Sequence, residues 1–339
     1  MEGLALGARY RSSVATVGSV PFDAGNQRTL ELPRSFLYKS LVLRISGTVS
    51  TVAATVNPQV EQPFALIKKI EVVADGRKIL FSIAGRDAYR LSQLFRGKAP
   101  EIVVAPGAAI ATQPFAGTII LDHEAARMVS PVDSYFDPRP YEKIELRITW
   151  ANGVADMFGT PNAAVFVTAP SIDVQLMQTV QGAEMIGFNR LLLFDEVSVT
   201  ATSSNLTLNV PRAGLLAGIL LRTDSTSAGL PNPSDTILNF VSVKSDNNFL
   251  HVDRLAWATL QRRNVIEYQL DIGSPTVQSM GTQIPGYAYV DLTEDGLISS
   301  ALNTLDLNVL QLIFDATLSG TSPLIRVTYV FYEPIALAG

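Results

Sequence analysis

Three observations predict an all-β chain of two tandem antiparallel jelly rolls, each of about eight strands with short helices in its loops. The first is a long internal repeat. Leu30-Glu31-Leu32-Pro33-Arg34 leads into the apolar run Leu41-Val42-Leu43 and Arg44, and Leu208-Asn209-Val210-Pro211-Arg212 leads into Ile219-Leu220-Leu221 and Arg222. Pro33 and Pro211, Arg34 and Arg212, Leu41 and Ile219, and Arg44 and Arg222 all stand 178 positions apart, slightly more than half of 339 residues. Two copies at so long a period mean a duplicated domain rather than a solenoid of short units. The second observation is that short period-two segments dominate. The third is that they are spaced by turns, without the strand–helix alternation of a parallel sheet.

The elements follow in the same order in both halves. Leu41, Leu43 and Ile45 alternate with Val42, Arg44 and Ser46, the pattern of a strand with one face on a core. Ile219, Leu221 and Thr223 repeat it against Leu220, Arg222 and Asp224. A strand over Ile67–Ala74 closes on Asp75-Gly76, a hairpin-turn pair, and its counterpart Phe240–Ser245 closes on Asp246-Asn247-Asn248. A helix follows in each half. In the first, Asp87 is placed as N-cap ahead of Ala88, Leu91, Leu94 and Phe95; in the second, Asp253-Arg254 opens Leu255–Leu260, with Trp257 and Leu260 on one face. Next come strands running into short helices, Ile119–Leu121 into Glu124–Val129 and Tyr289–Leu292 into Glu294–Leu302. Each half closes with two strands, Lys143–Trp150 and Ser171–Met177, then Leu307–Phe314 and Leu324–Tyr332, the last of each following a proline, Pro170 and Pro323.

The loops Asn57–Pro63 and Gly229–Asp235 match in position, as do Ser130–Pro140 and the shorter Asn303–Asp306; Ala151–Ala169 is a further loop. The expected division is an N-terminal arm over 1–14, a first roll over 15–182 and a second over 187–336, joined near Gln181–Phe188. The arm is rich in small residues, with Arg9, Tyr10 and Arg11 as its strong anchors.

Composition narrows the function. Hydrophobic residues make up 47% of the chain, as in globular proteins. Charged residues are only 17%, which fits extensive subunit contact or a large two-layer core. The net charge of −5 and the absence of any basic block beyond Lys68-Lys69 or Arg262-Arg263 argue against a dedicated nucleic-acid surface. With no Cys there are no disulfides, thiol nucleophiles or thiolate-bound metals. No apolar run is long enough for a membrane-spanning helix, and Met1–Arg11 lacks the apolar region of a signal peptide.

Catalytic motifs are scarce. The two histidines, His123 and His251, lack metal-ligand spacing and read as structural. There is no nucleophile elbow, phosphate loop or dinucleotide fingerprint. Glu61, Asp75, Asp122, Glu124, Asp133, Asp137, Asp195, Glu196, Asp291, Glu294 and Asp295 offer many carboxylate pairs, which a glycosidase would need, but turns and helix starts explain acids at such places. The expectation is no catalytic residue, no metal site and no cofactor. The repeated Pro-Arg pairs read as structural too, with proline where a strand leaves its sheet and the arginine pairing a carboxylate or capping carbonyls.

The stretch Leu30-Glu31-Leu32-Pro33-Arg34-Ser35, then Leu41-Val42-Leu43-Arg44-Ile45-Ser46-Gly47-Thr48, Pro63–Val72, Asp75-Gly76 and the helix from Asp87, resembles the first roll of double jelly-roll major capsid proteins of tailless icosahedral viruses, the PRD1–adenovirus-like lineage. Through the duplication the resemblance covers essentially the whole chain, by order and pattern rather than by a diagnostic residue. It implies upright rolls in a capsid shell and homotrimeric capsomers of pseudo-hexagonal outline. It further implies contacts with neighbouring capsomers, penton and minor capsid proteins, and, in many members, an internal membrane under the shell. The location implied is the virion, after synthesis in the host cytoplasm. No sequence-specific nucleic-acid partner is expected. The alternative from another class is a two-domain jelly-roll hydrolase acting on glycans, an amidase or glycosidase, expected to show a secretion signal and a cleft with paired acids. A pair of carbohydrate-binding modules would need an exposed aromatic platform, which the scattered aromatics do not suggest. A minor capsid or spike protein differs from a major one chiefly in copy number.

Overall fold

The computed structural model describes residues 12–51, 58–105, 109–123, 134–158, 164–179, 187–227, 230–246, 250–270, 284–293 and 297–334. Within them the first half holds β1 (Ser12–Pro21), β2 (Gln27–Glu31), β3 (Leu37–Ser50), β4 (Ile67–Ala74), β5 (Lys78–Ile83), α1 (Gly85–Arg96), β6 (Ile102–Val103), β7 (Gln113–Asp122), β8 (Ile144–Trp150) and β9 (Val165–Thr179). The second holds β10 (Phe188–Ser198), β11 (Ser203–Asn209), β12 (Leu215–Ser227), β13 (Leu230–Pro233), β14 (Leu238–Ser245), β15 (Leu250–Ala256), α2 (Trp257–Glu267), β16 (Tyr287–Asp291), β17 (Leu302–Asn303), β18 (Leu310–Ala316) and β19 (Thr321–Pro334).

The halves correspond strand for strand, β1 with β10, β2 with β11, β3 with β12, β4 with β14, β5 with β15, β7 with β16, β8 with β18 and β9 with β19. The short β6, β13 and β17 are additions. Each half folds two sheets face to face, β1-β9-β3-β7 over β5-β4-β8-β2, and β10-β19-β12-β16 over β11-β18-β14-β15, with the pairings inside each half antiparallel. This is the double jelly roll. In the first roll Leu41, Leu43 and Ile45 point inward with Ile172, Val174 and Leu176 toward Ile70, Val72, Leu146 and Ile148, all buried. The second roll builds the equivalent core from Ile219, Leu221, Val241, Val243, Leu312, Phe314, Ile325 and Val327, again all buried.

Repeated local devices hold the two rolls alike. At the β4–β5 hairpin Asp75 and Gly76 both have positive φ, 49° and 68°, as a tight primed turn requires. Asp75 Oδ1 accepts from the backbone N–H groups of Glu142 and Lys143, at 2.7 and 3.0 Å, where the chain enters β8. Asp246 does the same for Asn308 and Val309, at 2.7 and 2.6 Å, ahead of β18. Arg34 donates to the carbonyl of Tyr141, and Arg212 to that of Leu305 at 2.7 Å, so both Pro-Arg arginines cap carbonyls.

Several expectations are corrected. α1 is capped by Ala84, and Asp87 lies in its first turn, buried. Glycine opens the helix because Gly85 lies against Ile67, where a Cβ would come within 2.6 Å. Asp253 and Arg254 belong to strand β15, and α2 starts only at Trp257; Trp257 and Leu260 are buried together as expected. In place of the expected helix to Leu302 there is a 3-10 turn, Ile298–Ser300, before β17, with 294–296 outside the described residues. Pro170 and Pro323 lie inside β9 and β19, each beside a register shift against its neighbour, where a missing N–H breaks no regular ladder. Part of the Gly229–Asp235 loop is β13, and Thr304–Asp306 is a 3-10 turn. β1 begins at Ser12, inside the expected arm of 1–14, and pairs with Thr179 at the end of β9. Residues 1–11, the stretch 124–129 where a helix is expected and residues 180–186 of the expected join lie outside the described residues.

One pairing crosses between halves. β5 and β10 meet in parallel, Leu192 opposite Phe81, so the sheet β5-β4-β8-β2 of roll 1 continues into β10-β19-β12 of roll 2. The expected alternation fails in β12 for this reason. Leu220, Arg222 and Asp224, on its outward face, are as buried as Ile219, Leu221 and Thr223, because roll 1 covers them.

Candidate functional site

The strongest concentration of buried polar chemistry in the described residues lies along this seam. From roll 1 come Glu61, ahead of the 3-10 turn Gln62–Leu66, and Arg86, Asp87 and Arg90 on α1. From roll 2 come Arg222 and Asp224 on β12 and Tyr287 on β16. Arg222 reaches Asp87 Oδ1 with Nη1 at 3.2 Å and Asp224 Oδ1 with Nε at 2.8 Å. Tyr287 donates to Glu61 Oε2 at 3.0 Å, and Arg90 donates to Glu61 Oε1. The Tyr287 ring lies 5.4 Å from the Arg222 guanidinium carbon and 5.5 Å from that of Arg90. Arg86 donates to the carbonyl of Pro231 at 2.9 Å. Farther along, Arg190 on β10 donates to the carbonyl of Asp122 at 2.7 Å and lies over Phe95 at 4.6 Å, and Lys78 pairs Glu333 at 2.6 Å.

Burial and neighbouring charge compete here. Burial opposes the Glu61 carboxylate, but Arg90, Arg222 and Arg86 overcome it and hold its pKa below the ordinary value. For Asp87 burial prevails over Arg222 and the pKa is raised. Burial, with Arg222 nearby, pushes Arg86 down to about 10. Burial also works against Arg222, but Tyr287 and the Asp224, Asp87 and Glu61 carboxylates keep its proton held more tightly than usual. Asp87 Oδ2 and Asp224 Oδ2 have no hydrogen-bond partner. A cleft of about 260 Å³ opens beside the cluster, lined by Arg86, Arg222, Arg326, Glu196, Asp156 and Lys68 among others. Two acids do face one another here, but Arg222 lies between them and binds both, so neither is poised as a general acid or base.

The acids that the sequence offers as candidate pairs scatter over the fold. Asp122 pairs Arg96, Asp137 pairs Arg139, Glu196 lies 3.5 Å from Arg326, and Asp291 accepts from Tyr268 at 2.6 Å. Glu124, Asp133, Glu294 and Asp295 lie outside the described residues. Among the described members of that set, Glu61 alone joins the buried cluster. Asp87 and Arg222 stand out in the sequence for other reasons, as a helix-start acid and as a repeat partner. The signal that points to the cluster is an arginine and an aspartate at outward positions of β12, directly after the stretch Leu215–Leu221 that is apolar on both faces.

His123 is fully enclosed, stacked 4.6 Å from Phe81 and 5.2 Å from Phe136, and burial, with Arg190 adding, lowers its pKa to about 3. His251 Nε2 lies 2.9 Å from Ser245 Oγ. Among the described residues no group of His, Asp and Glu is arranged to hold a metal ion, and no helix is long and apolar enough to cross a membrane.

No family model matches the sequence, and no curated protein matches it. Solved structures do match in fold. The STIV MCP superposes with a TM-score of 0.72 at 16% identity, covering 95% of this chain and 96% of its own. The chain from the atomic structure of Sulfolobus Turreted Icosahedral Virus gives 0.73 at 15%, covering 95% and 90%. The major capsid protein from Bacteriophage PM2 gives 0.63 at 13%, covering 97% and 100%. What these likenesses share with the chain is the whole two-roll fold.

Proposed function

We propose that the chain is a structural major capsid protein that forms the shell of a tailless icosahedral virus. The observation that carries this is the two-roll architecture fused by one continuous seam, matched from end to end by capsid proteins of similar length. A seam of buried ion pairs and shared sheet fixes the angle between rolls, which a shell tile needs and a hinged two-domain enzyme cleft does not.

The working unit in this reading is a homotrimer. Two similar rolls per chain, taken three times, give a pseudo-hexagonal ring, and closed symmetry is the usual outcome for homo-oligomers. Its interfaces are of obligate size, above ~2,000 Å² in total. In this reading an N-terminal arm serves the inner base of the shell, ahead of a first roll ending near 182 and a second over 187–336. Further partners are neighbouring capsomers, penton and minor capsid proteins and an internal membrane. The protein is made in the host cytoplasm and ends in the virion. It has no catalytic role and needs no cofactor or metal, a reading supported by the Asp87 and Asp224 carboxylates being tied to Arg222. Mass photometry of the purified chain tests it: a species of three chain masses is expected, and a monomer or twofold dimer at micromolar concentration would overturn it.

A further inference from the structure

Duplication leaves each roll with a face whose counterpart is covered elsewhere in the same chain. Roll 2 buries its β10 edge against roll 1, with Leu192 at the parallel contact only 1% exposed. The equivalent edge of roll 1 is β1. Leu192 lies opposite Val330 and Val14 opposite Met177; Val330 and Met177 sit beside Gly218 and Ser40, themselves 178 positions apart. Val14 is therefore the counterpart of Leu192, and it is 61% exposed. The neighbours agree. Arg190 and Leu192 are buried and Phe194 half-buried, whereas Ser12, Val14 and Thr16 are exposed. Arg222 has a side chain 1% exposed, and its counterpart Arg44 one 48% exposed.

The reverse holds for the other face. Roll 1 buries its β5 edge and α1 against roll 2, whereas among the described residues β15 is an edge strand with Val252 half-buried, and the outer face of α2 is exposed. Phe81 lies opposite Val72 and Val252 opposite Val243, so Val252 is the counterpart of Phe81. The helices align from their caps Ala84 and Ala256. Arg86, Asp87 and Leu94 on α1 are buried, while the aligned Ala258, Thr259 and Ile266 on α2 are exposed, Ile266 by 76%. An apolar residue that exposed on a helix, and a strand edge on each roll with no partner strand among the described residues, are features that proteins usually cover.

We propose that the seam recurs between chains: the β1 edge of roll 1 docks in parallel on the β15 edge and α2 of roll 2 in a second copy of this chain, with Val14 opposite Val252. The chain itself identifies the occupant, because the matching pair of surfaces is already seated together once within it. The contact is head-to-tail, so it closes a ring or runs on as a filament according to its rotation. The proposal rests on the capsomer reading above for closure at three; the strand pairing itself rests on the repeat.

The chain has no native Cys, so paired cysteines report this contact cleanly. The double variant Val14→Cys with Val252→Cys is oxidised in the assembled protein, and masses are read on denaturing gels and by mass photometry. In-register strand neighbours fall within disulfide reach. The expected result is loss of the monomer band to a covalent species of three chain masses. The single variants should give no such species, nor should Val14→Cys paired with the exposed Leu318→Cys. Thermal unfolding of the single variants confirms that each still folds. A trimer that forms but does not crosslink at 14 and 252 overturns the strand pairing and leaves the capsomer reading standing. A crosslinked ladder continuing beyond three chains supports the pairing and overturns threefold closure. A chain that stays monomeric overturns both.

Discussion

Arg222 of the second roll and Asp87 of the first are joined across the seam at 3.2 Å, with both side chains almost wholly removed from solvent. Asp224 completes the group on the far side of the guanidinium. Such a pair stabilises little against well-packed apolar residues, but breaking it leaves uncompensated charge in the interior. Arg222→Met should therefore destabilise the chain by about 3–5 kcal/mol, read as a lower urea midpoint. Adding Asp87→Leu and Asp224→Leu to Arg222→Met should recover most of the loss. If the single variant is as stable as the parent, the cluster does not lock the rolls together.

The repeat, the strand order and the inward residues of β3 are legible in the sequence because period-two alternation and turn chemistry are local signals. Ile67–Ala74 with Asp75-Gly76 can be read to the residue for that reason. The seam is not legible. Arg44 and Arg222 occupy the same place in the repeat, yet one is exposed and paired with Glu101 and the other is buried. Nothing local separates them; what differs is which face the other roll covers. Asp87 misleads for a related reason: an acid at a helix start ordinarily caps, but here a roll distant in sequence supplies its partner. Asp253-Arg254 imitates a cap and so suggests too early a start for α2, while pairing of β15 with β14 carries the strand on to Ala256.

His123 makes stability depend on pH. Its pKa in the folded chain is lowered to about 3 by burial and Arg190, so between roughly pH 6.5 and that value the unfolded chain takes up a proton that the folded chain refuses. Stability falls as pH falls through this window, by on the order of 5 kcal/mol in full. Glu61, whose folded pKa is depressed, adds a loss only at the acidic end. His123→Phe keeps an aromatic ring between Phe81 and Phe136 and removes the titration. The parent-minus-variant difference in unfolding free energy should become steadily more unfavourable to the parent from pH 7 to pH 4. A constant difference over that range would contradict the assignment.

Asp75 and Asp246 do one job twice, each accepting two backbone N–H groups where the chain enters β8 or β18. Both sites are near solvent, so Asp75→Ala and Asp246→Ala should each cost about 1 kcal/mol. They sit in different rolls without shared partners, so the double variant should cost the sum, within about 0.5 kcal/mol. Denaturant titration of the four proteins tests this. A coupling well above that margin would mean that the two turns communicate through the seam.

Leu192 and Val14 test what the duplication means for energy, because they are the same position of the roll in two surroundings. Leu192 is packed at the parallel contact with Phe81 and has little room to relax, since Arg190 on the same strand face is fixed to Asp122 and Phe95. Leu192→Ala should leave a cavity and cost about 2–5 kcal/mol. Val14 in the isolated chain projects into solvent, and Val14→Ala should fall within about 0.5 kcal/mol of the parent. Unfolding measured under dilute conditions, where chains are apart, gives both values. The comparison separates a property of the fold from a property of the seam. If the roll itself required a large apolar residue at this position, both substitutions would destabilise. If only the seam requires it, Leu192→Ala alone will.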